Sequence, residues 1–270
     1  PKEPLRVHAK DFDKNGQVDP VMSYYIDGEN YVGHSRNDLI RQINAMRGRF
    51  RTYTDYAQVT FRETFLKEEL DDAYVVKSET FASSYLANLG NGKFKLMPLP
   101  KMAQIAPIYG TIVGDYNNDN HLDILAVGNF YSGEVFSGQY DASIGWFLAG
   151  DGNGNFNPIN SRESGFFVKG DAKSIVNLKS DQQEFILVGI NNGPVTVLEY
   201  DRPSHSIYYP KRNEVAGIIG FPDGSVQRFE FVQSSGYLSQ PSRALSIPSN
   251  AIFLKIIDYK GNQREISIIK

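Results

Sequence analysis

Oxygen-bearing side chains recur at a fixed spacing in a loop near the middle of the chain. Segment 115–123 reads Asp-Tyr-Asn-Asn-Asp-Asn-His-Leu-Asp, with side-chain oxygens at its first, third, fifth and ninth positions. A hard cation such as calcium binds about six to eight oxygens, and such a loop supplies them from alternate side chains and one backbone carbonyl. The spacing predicts a calcium site formed by Asp115, Asn117, Asp119, the His121 carbonyl and Asp123.

A second loop near the N-terminus repeats this spacing. Segment 11–19 reads Asp-Phe-Asp-Lys-Asn-Gly-Gln-Val-Asp, so each loop carries three carboxylates and one Asn amide at the side-chain positions. The sixth position of such a loop needs a left-handed backbone, which Gly16 adopts freely and Asn120 tolerates. Two solvated acidic turns are the alternative, and the doubled spacing disfavours it. The second predicted calcium site is formed by Asp11, Asp13, Asn15, the Gln17 carbonyl and Asp19.

A glycine-rich turn also occurs twice. Segment 86–94, Leu-Ala-Asn-Leu-Gly-Asn-Gly-Lys-Phe, is echoed by segment 148–156, Leu-Ala-Gly-Asp-Gly-Asn-Gly-Asn-Phe. Asp115 precedes Gly152 by 37 residues, whereas Asp11 precedes Gly90 by 79. The difference of 42 residues predicts an internal repeat whose first copy carries an insertion.

The loops and the Gly-Asn-Gly-x-Phe turns resemble FG-GAP/VCBS repeats, the calcium-binding blades of integrin-type β-propellers. Segment 235–240, Ser-Gly-Tyr-Leu-Ser-Gln, resembles the signature of the ASPIC/UnbV domain, although the surrounding pattern is shortened. That domain follows such propellers in cartilage-acidic-protein-like secreted proteins and bacterial surface proteins. The resemblance implies an all-β fold of propeller blades, part of a seven-bladed ring, with two bound Ca²⁺ ions. The predicted domains are the blades at 1–212, with a helical insertion at about 33–74, and a small β domain at 213–270.

Strand patterns follow the repeat. The first blade is predicted from 5–10, 21–26, 80–89 and 93–99, and the second from 106–114, 122–131, 143–149 and 155–159. A third, degenerate blade is predicted from 174–178, 184–189 and 194–200; its loop 179–183 lacks the ligand spacing and should bind no calcium. The C-terminal strands are predicted at 216–221, 226–232, 251–258 and 264–269.

The insertion has helical periodicity. Ser35 is a candidate cap, apolar residues follow at helical spacing, Gly48 should end the first helix, and two further short helices are expected. We expect the apolar residues Leu39, Ile43, Met46, Phe61 and Phe65 to pack on the first blade. The insertion's arginines could form a nucleic-acid patch, but neighbouring acidic residues favour a solvated face.

Composition excludes some kinds of functional site and disfavours some partners. Among 270 residues there is no cysteine, which excludes disulfides, thiolate metal sites and cysteine nucleophiles. The net charge of −3 predicts no general attraction to nucleic acid or to an anionic membrane. No signal peptide or transmembrane run is evident, so no direct membrane insertion is predicted. Because the chain opens at Pro1 without Met, we expect a processed piece of a longer exported protein.

No catalytic residue is predicted. The histidines His8, His34, His121 and His205 stand in no metalloprotease spacing, and neither a nucleophile elbow nor a P-loop is present. His8 could serve as a base, but a packed or exposed strand histidine is favoured. Gly150–Gly154 is interpreted as a hairpin turn and not as a phosphate cradle. Trp146, Phe147, Tyr131 and Tyr140 could stack on sugars, although packing between sheets is favoured.

The favoured function is a non-catalytic, calcium-binding interaction module that binds protein or glycan at a cell surface. Calcium loops of modest charge work where calcium is abundant, which predicts an extracellular, cell-surface or periplasmic location. The alternative is a calcium-dependent polysaccharide-active enzyme, lyase-like, on the same scaffold. Three blades cannot close a ring, so upstream blades are expected in the natural protein and a homo-oligomeric contact in this chain.

Overall fold

The fold of the chain is mostly β, as the sequence predicts. The computed structural model describes residues 3–135, 137–179, 183–200, 206–234 and 236–268. It is 42% strand and 12% helix, arranged as several small antiparallel sheets. The chain forms two compact units, Pro1–Phe81 and Ala82–Lys270. The predicted domain boundary at 212/213 lies within the second unit and stays a prediction.

The first unit contains a four-stranded sheet. Its strands are β1 (Leu5–Lys10), β2 (Asp19–Ile26), β3 (Glu29–Val32) and β4 (Tyr74–Ser78), in the order β3-β2-β1-β4. The prediction that 80–89 and 93–99 complete this sheet is wrong. β5 (Ser84–Asn88) and β6 (Phe94–Pro98) instead pair with each other, since Gly90, Asn91 and Gly92 all have positive φ and close a tight turn between them. The strand beside β1 is β4, whose Val75 and Val76 suit a pleated sheet.

Five short helices form the insertion. Ser35 caps the first as predicted, since its Oγ accepts the backbone N–H of Asp38 at 3.2 Å. That helix ends at Gln42, not at Gly48. The next residue, Ile43, has an extended backbone, and both Ile43, which is β-branched, and Asn44 are weaker helix formers. The helices are α1 (Arg36–Gln42), α2 (Met46–Arg49), α3 (Tyr53–Ala57), α4 (Phe61–Thr64) and α5 (Lys67–Leu70).

The apolar residues of the insertion are buried against the sheet, which confirms the predicted docking. The cluster contains Val21 of β2 together with Leu39, Ile40, Ile43, Met46, Phe50, Phe61 and Phe65. Two arginines have structural partners: Arg36 donates to the carbonyls of Phe50 and Arg51, and Arg49 pairs with Glu69. The solvated-face interpretation fits these contacts better than a nucleic-acid patch.

The second unit contains the next two predicted sheets. One is a meander of β7 (Ile108–Gly114), β8 (Asp123–Gly128), β9 (Trp146–Gly150) and β10 (Phe156–Ile159); the other joins β11 (Ala172–Lys179), β12 (Glu184–Ile190) and β13 (Thr196–Tyr200). Ile112, Leu125 and Val127 share one core with Ile175 and Val188. Trp146 and Phe147 are buried, so the packing interpretation holds for both rings and neither forms a sugar platform. A short helix α6 (Ser161–Ser164) follows β10.

The C-terminal strands form a further small sheet with a core of its own. β16 (Val226–Glu230), β15 (Glu214–Gly220), β18 (Phe253–Asp258) and β19 (Gln263–Ile266) lie in that order, and β14 (Ser206–Tyr208) pairs with β17 (Leu245–Ile247). Ile219 and Leu254 are fully buried in the core. The predicted C-terminal strands are therefore confirmed. Some residues named in the predictions lie outside the described ranges: residues 180–182, His205, Ser235 and Ile269.

No helix in the described ranges is both long and apolar enough to cross a membrane. Several large apolar side chains remain exposed on the β5–β6 hairpin: Leu86, Leu89, Phe94 and Leu96. Coverage of this face by another copy of the chain stays a prediction.

A buried carboxylate organises the C-terminal sheet. Glu214 is 2% exposed; its carboxylate accepts hydrogen bonds from Tyr208 Oη at 2.6 Å and from the backbone N–H of Lys211 at 2.7 Å, and it pairs with Arg264. Burial alone would raise the pKa of Glu214, but the bonds from Tyr208, Arg264 and Lys211 outweigh it and hold the pKa below 4.5. The ionised form is therefore the one that the fold stabilises.

Glu214→Gln is expected to lower the free energy of unfolding by about 1–3 kcal/mol at pH 7, because it removes the charge that Arg264 and Tyr208 bind. A carboxyl with a depressed pKa stabilises the fold above its unfolded pKa, and this contribution is lost as pH falls through the folded value. The difference between wild type and variant should therefore shrink as pH falls below 4.5. Urea denaturation at pH 7 and pH 3.5 measures it. Glu230→Gln, in the exposed pair with Arg228, is the control; equal losses in both variants would contradict the prediction.

Candidate metal centre

The first candidate loop connects β1 and β2 and curls around the carboxylate of Asp11. That carboxylate accepts the backbone N–H groups of Asn15 at 3.0 Å and Gly16 at 2.8 Å. Asn15 Oδ1 in turn accepts the N–H of Gln17 at 2.8 Å. Lys14 and Gly16 have φ values of 60° and 89°, so the chain passes twice through the left-handed region within this turn. The loop therefore turns its carboxylates and amide oxygens towards one another.

The second candidate loop connects β7 and β8 and repeats these bonds position by position. Asp115 accepts the N–H groups of Asp119 at 3.1 Å and Asn120 at 2.9 Å, and Asp119 Oδ1 accepts the N–H of His121 at 2.8 Å. Asn118 and Asn120 have φ values of 63° and 68°, which confirms the predicted left-handed Asn120. Two segments about a hundred residues apart thus share one hydrogen-bonding design, as the repeated spacing requires.

The ninth residue of each loop attaches the turn to the sheet. Asp19 Oδ2 accepts the N–H of Phe12 at 2.9 Å, and Asp123 Oδ2 accepts the N–H of Tyr116 at 2.8 Å. Asp123 Oδ1 also accepts the N–H of Gly150, on β9, at 2.9 Å. Asp19 is 3% exposed and Asp123 is fully buried. Both carboxylates are therefore fixed in place by backbone donors before any ligand binds.

The electrostatics of these buried carboxylates favour a bound cation. Burial raises the pKa of Asp19 and of Asp123; the backbone bonds oppose this, and the neighbouring loop carboxylates reinforce it. A buried anion among other anions is costly unless a partner neutralises it. A divalent cation bound by all of them would supply that neutralisation.

In the first loop the geometry already fits such an ion. Carboxylate oxygens of Asp11, Asp13 and Asp19 lie within 4.8 Å of one another. Oxygens on either side of a calcium ion are about 5 Å apart at most, given Ca–O distances of about 2.3–2.6 Å. Asp13 Oδ1 is buried and accepts no hydrogen bond within the described residues, so it has an unused acceptor position. The residues present therefore fit a calcium ion.

The second loop is arranged less tightly. Among the described residues, Asp115, Asp119 and Asp123 do not form a comparable carboxylate cluster. Compared with the first loop, Asn and Asp have exchanged the third and fifth positions. As a result, Asn117 Nδ2 donates to Asp119 Oδ2 at 2.8 Å and holds that carboxylate in a local bond. All ten predicted ligand residues lie in the two loops, with Gln17 and His121 each at the seventh position. Ion binding at the second loop would require the Asn117–Asp119 bond to open.

Sequence reasoning missed what surrounds the second loop. Gln227 Nε2 donates to the carbonyl of Asn120 at 3.0 Å, and Asn250 Nδ2 donates to Asn120 Oδ1 at 2.9 Å. The C-terminal sheet is thus bonded directly to the candidate metal loop. Local sequence carries no signal for these contacts, since the partners are 107 and 130 residues away from Asn120.

His8 and His34 each make a structural contact in the first unit. His8 is buried and stacks on Phe61 at a ring-centroid distance of 4.4 Å; burial, and secondarily Arg6, lower the pKa of its imidazole. His34 Nε2 accepts the backbone N–H of Met22 at 3.0 Å. These positions favour the packed interpretation of His8 and a structural role for His34.

Comparison with known proteins does not extend this assignment. No protein-family model matches the chain, and no curated protein matches it. The candidate centre is therefore defined by the loop spacing, the shared hydrogen-bond pattern and the first loop's carboxylate cluster.

Proposed function

We propose that the chain is a non-catalytic, calcium-binding interaction module of an exported or cell-surface protein. The observation that carries this proposal is the same hydrogen-bonded loop built twice, each time with three carboxylates and one amide distributed over positions 1, 3, 5 and 9. Ordinary acidic turns have no reason to share positions, backbone φ values and a buried ninth residue. Calcium would bind at both loops and neutralise their carboxylates.

The proposed architecture is a set of FG-GAP/VCBS-type propeller blades followed by an ASPIC/UnbV-like β domain. It is supported by the antiparallel meander β7–β10, the adjoining β11–β13 sheet and their common core. Each candidate loop joins two neighbouring strands of one sheet, so a bound ion would rigidify one edge of that sheet. A complete ring, seven-bladed in the integrin-type family, would need further blades from elsewhere.

The location and partners follow from this chemistry. Calcium loops of moderate charge are saturated where calcium is abundant, which supports an extracellular, cell-surface or periplasmic site. A β scaffold stiffened by bound ions suits the binding of a protein or a glycan. The net charge of −3 and the internally paired arginines give no support to nucleic acid as a partner.

A calcium-dependent, lyase-like enzyme is the second candidate, because the scaffold is compatible with one. A lyase needs a base beside the cation, whereas His8 stacks on Phe61 and His34 accepts the backbone N–H of Met22. Incubation with a panel of polysaccharides and detection of unsaturated products by ultraviolet absorbance separates the two functions. Release of such products would replace the binding function with the enzymatic one.

Calcium is expected to raise the melting temperature. At a calcium concentration about tenfold above the dissociation constant, one site adds about 1.4 kcal/mol by mass action. Asp119→Ala should remove part of the rise because it deletes a carboxylate ligand of the second loop. Thermal denaturation in calcium and in chelator measures the effect, and Asp141→Ala, an exposed aspartate outside both loops, is the control. Identical melting curves with and without chelator would contradict calcium binding.

A further inference from the structure

A groove of about 890 Å³ lies beside the second candidate calcium loop. Three segments of the second unit form it: the loop residues 119–122, the glycine-rich turn 150–156 and the C-terminal turn 221–227. Small-molecule sites commonly have volumes of about 300–1,000 Å³, so the groove is large enough for an extended ligand.

Two glycines of the 150–156 turn are in close contact with rings that line the groove. A Cβ on Gly152 would lie 2.6 Å from His121 Nδ1, and a Cβ on Gly154 would lie 3.1 Å from Tyr85 Cε1. Both glycines also have positive φ, so the turn itself requires residues of this kind. The turn therefore lets the two rings approach its backbone closely.

One wall of the groove is aromatic. Tyr85, on β5, meets Phe156 edge to face at a centroid distance of 5.6 Å and an angle of 72°. Tyr85 remains 37% exposed, so part of its ring is available to a ligand. An aromatic ring beside polar groups is the combination that binds the apolar face of a sugar while its hydroxyls are hydrogen-bonded.

Three polar residues that line the groove have unused hydrogen-bond acceptors. Asp223 accepts two bonds from Ser225, at 2.6 Å and 2.9 Å, both at Oδ1, and its Oδ2 accepts none from the described part of the chain. Gln227 and Asn250 use their amide N–H groups on Asn120, which orients both side chains and leaves their carbonyl oxygens as acceptors. Hydroxyl groups are the donors that such a set of acceptors matches.

The charge of the groove restricts the ligand further. Asp119, Asp151 and Asp223 line it, and neither Lys nor Arg does. Phosphates, sulfated sugars and uronates would meet the like charge of Asp151 and Asp223, which calcium at the second loop does not bind, and would find neither Lys nor Arg as a partner. A neutral saccharide has no such penalty, since its hydroxyls donate to the carboxylates and amides.

The other large cavity of this unit is a poorer candidate. It measures about 320 Å³, and two of its lining residues are already engaged: Lys179 Nζ donates to Ser246 Oγ at 2.7 Å, and that hydroxyl donates to Glu184 at 2.7 Å. These contacts join β11, β12 and β17 internally.

We propose that the groove between the second calcium loop and the C-terminal turn binds a neutral oligosaccharide, with Tyr85 as the stacking surface and Asp223, Gln227 and Asn250 as acceptors. The proposal rests on the interaction module proposed above and names its ligand class. It differs from the lyase alternative, whose uronate substrates the groove's carboxylates disfavour.

The test uses the whole chain in saturating calcium with four probes: cellohexaose, mannohexaose, N-acetylchitohexaose and hexagalacturonate. Saturation-transfer NMR detects binding, and isothermal titration measures its affinity. At least one neutral probe is expected to bind, and Tyr85→Ala and Asp223→Asn should each weaken it by tenfold or more. Tyr259→Ala and Asp258→Asn are matched controls, because Tyr259 is exposed outside the groove and Asp258 caps a turn as Asp223 does. Both controls should bind with wild-type affinity.

Calcium titration of the same preparations keeps this proposal separate from the calcium function. Calcium binding without binding of any neutral probe overturns the groove proposal alone. Binding only of hexagalacturonate, or equal weakening by the groove and control variants, also overturns it. If the chain binds no calcium but binds a neutral probe even in chelator, the groove proposal is supported and the calcium function is overturned. Displacement of the sugar by an oligolysine peptide at a lower concentration would assign the acidic groove to a basic peptide.

Discussion

Asp123→Ala is expected to lower the free energy of unfolding by about 2–6 kcal/mol, even in chelator. The carboxylate is fully buried and accepts the backbone N–H groups of Tyr116 and Gly150. Each buried donor left without a partner costs about 1–3 kcal/mol. Urea denaturation at pH 7 with chelator measures this loss. Repeating the denaturation in calcium should show little further stabilisation at the second loop, since the variant also lacks a predicted ligand.

Asp119→Ala is the matched control for this result, because Asp119 is an exposed residue and a predicted ligand of the same loop. Its stability in chelator should stay near that of the wild type while its response to calcium falls. The two variants would thereby separate the ninth residue's structural role from its role in metal binding. Equal stability of Asp119→Ala and Asp123→Ala in chelator would refute the view that Asp123 anchors the loop to the sheet.

Phe65→Ala is expected to destabilise the first unit by about 3–5 kcal/mol, the range for removing a buried aromatic ring. Phe65 is 2% exposed and packs against Phe12 and Phe61 at centroid distances of 5.1 Å and 5.3 Å. Phe12 belongs to the first candidate calcium loop, so the inserted helices support that loop directly. Hydrogen exchange should show slow amides across 36–66 in the wild type and faster exchange in the variant.

Tyr53→Ala provides the comparison within the same insertion. Tyr53 is 61% exposed, and a substitution at such a surface position usually changes stability by about 0.5 kcal/mol or less. Rapid exchange across 36–66 in the wild type, or similar losses in the Phe65 and Tyr53 variants, would mean that the helices are not docked on the sheet.

The candidate metal loops were predictable from the sequence because the predicted ligands and the turn residues of each loop are local. The predicted ligands lie within nine consecutive residues, and the sixth residue of each loop, Gly16 or Asn120, is of a type that tolerates the left-handed backbone found there. The meander β7–β10 was predictable for a related reason. Its neighbouring strands are consecutive in the chain, so alternation and turn residues are enough to order them.

Only the tertiary structure decided which distant segments meet. The sequence patterns placed the β5–β6 segments in the first blade, yet β3 and β4 complete that sheet, because a strand's partner is chosen by the packing of the whole sheet. Gln227 and Asn250 reach Asn120 from more than a hundred residues away, and the walls of the groove come from three separate segments. Such contacts depend on long-range packing, for which periodicity and spacing along the chain contain no signal.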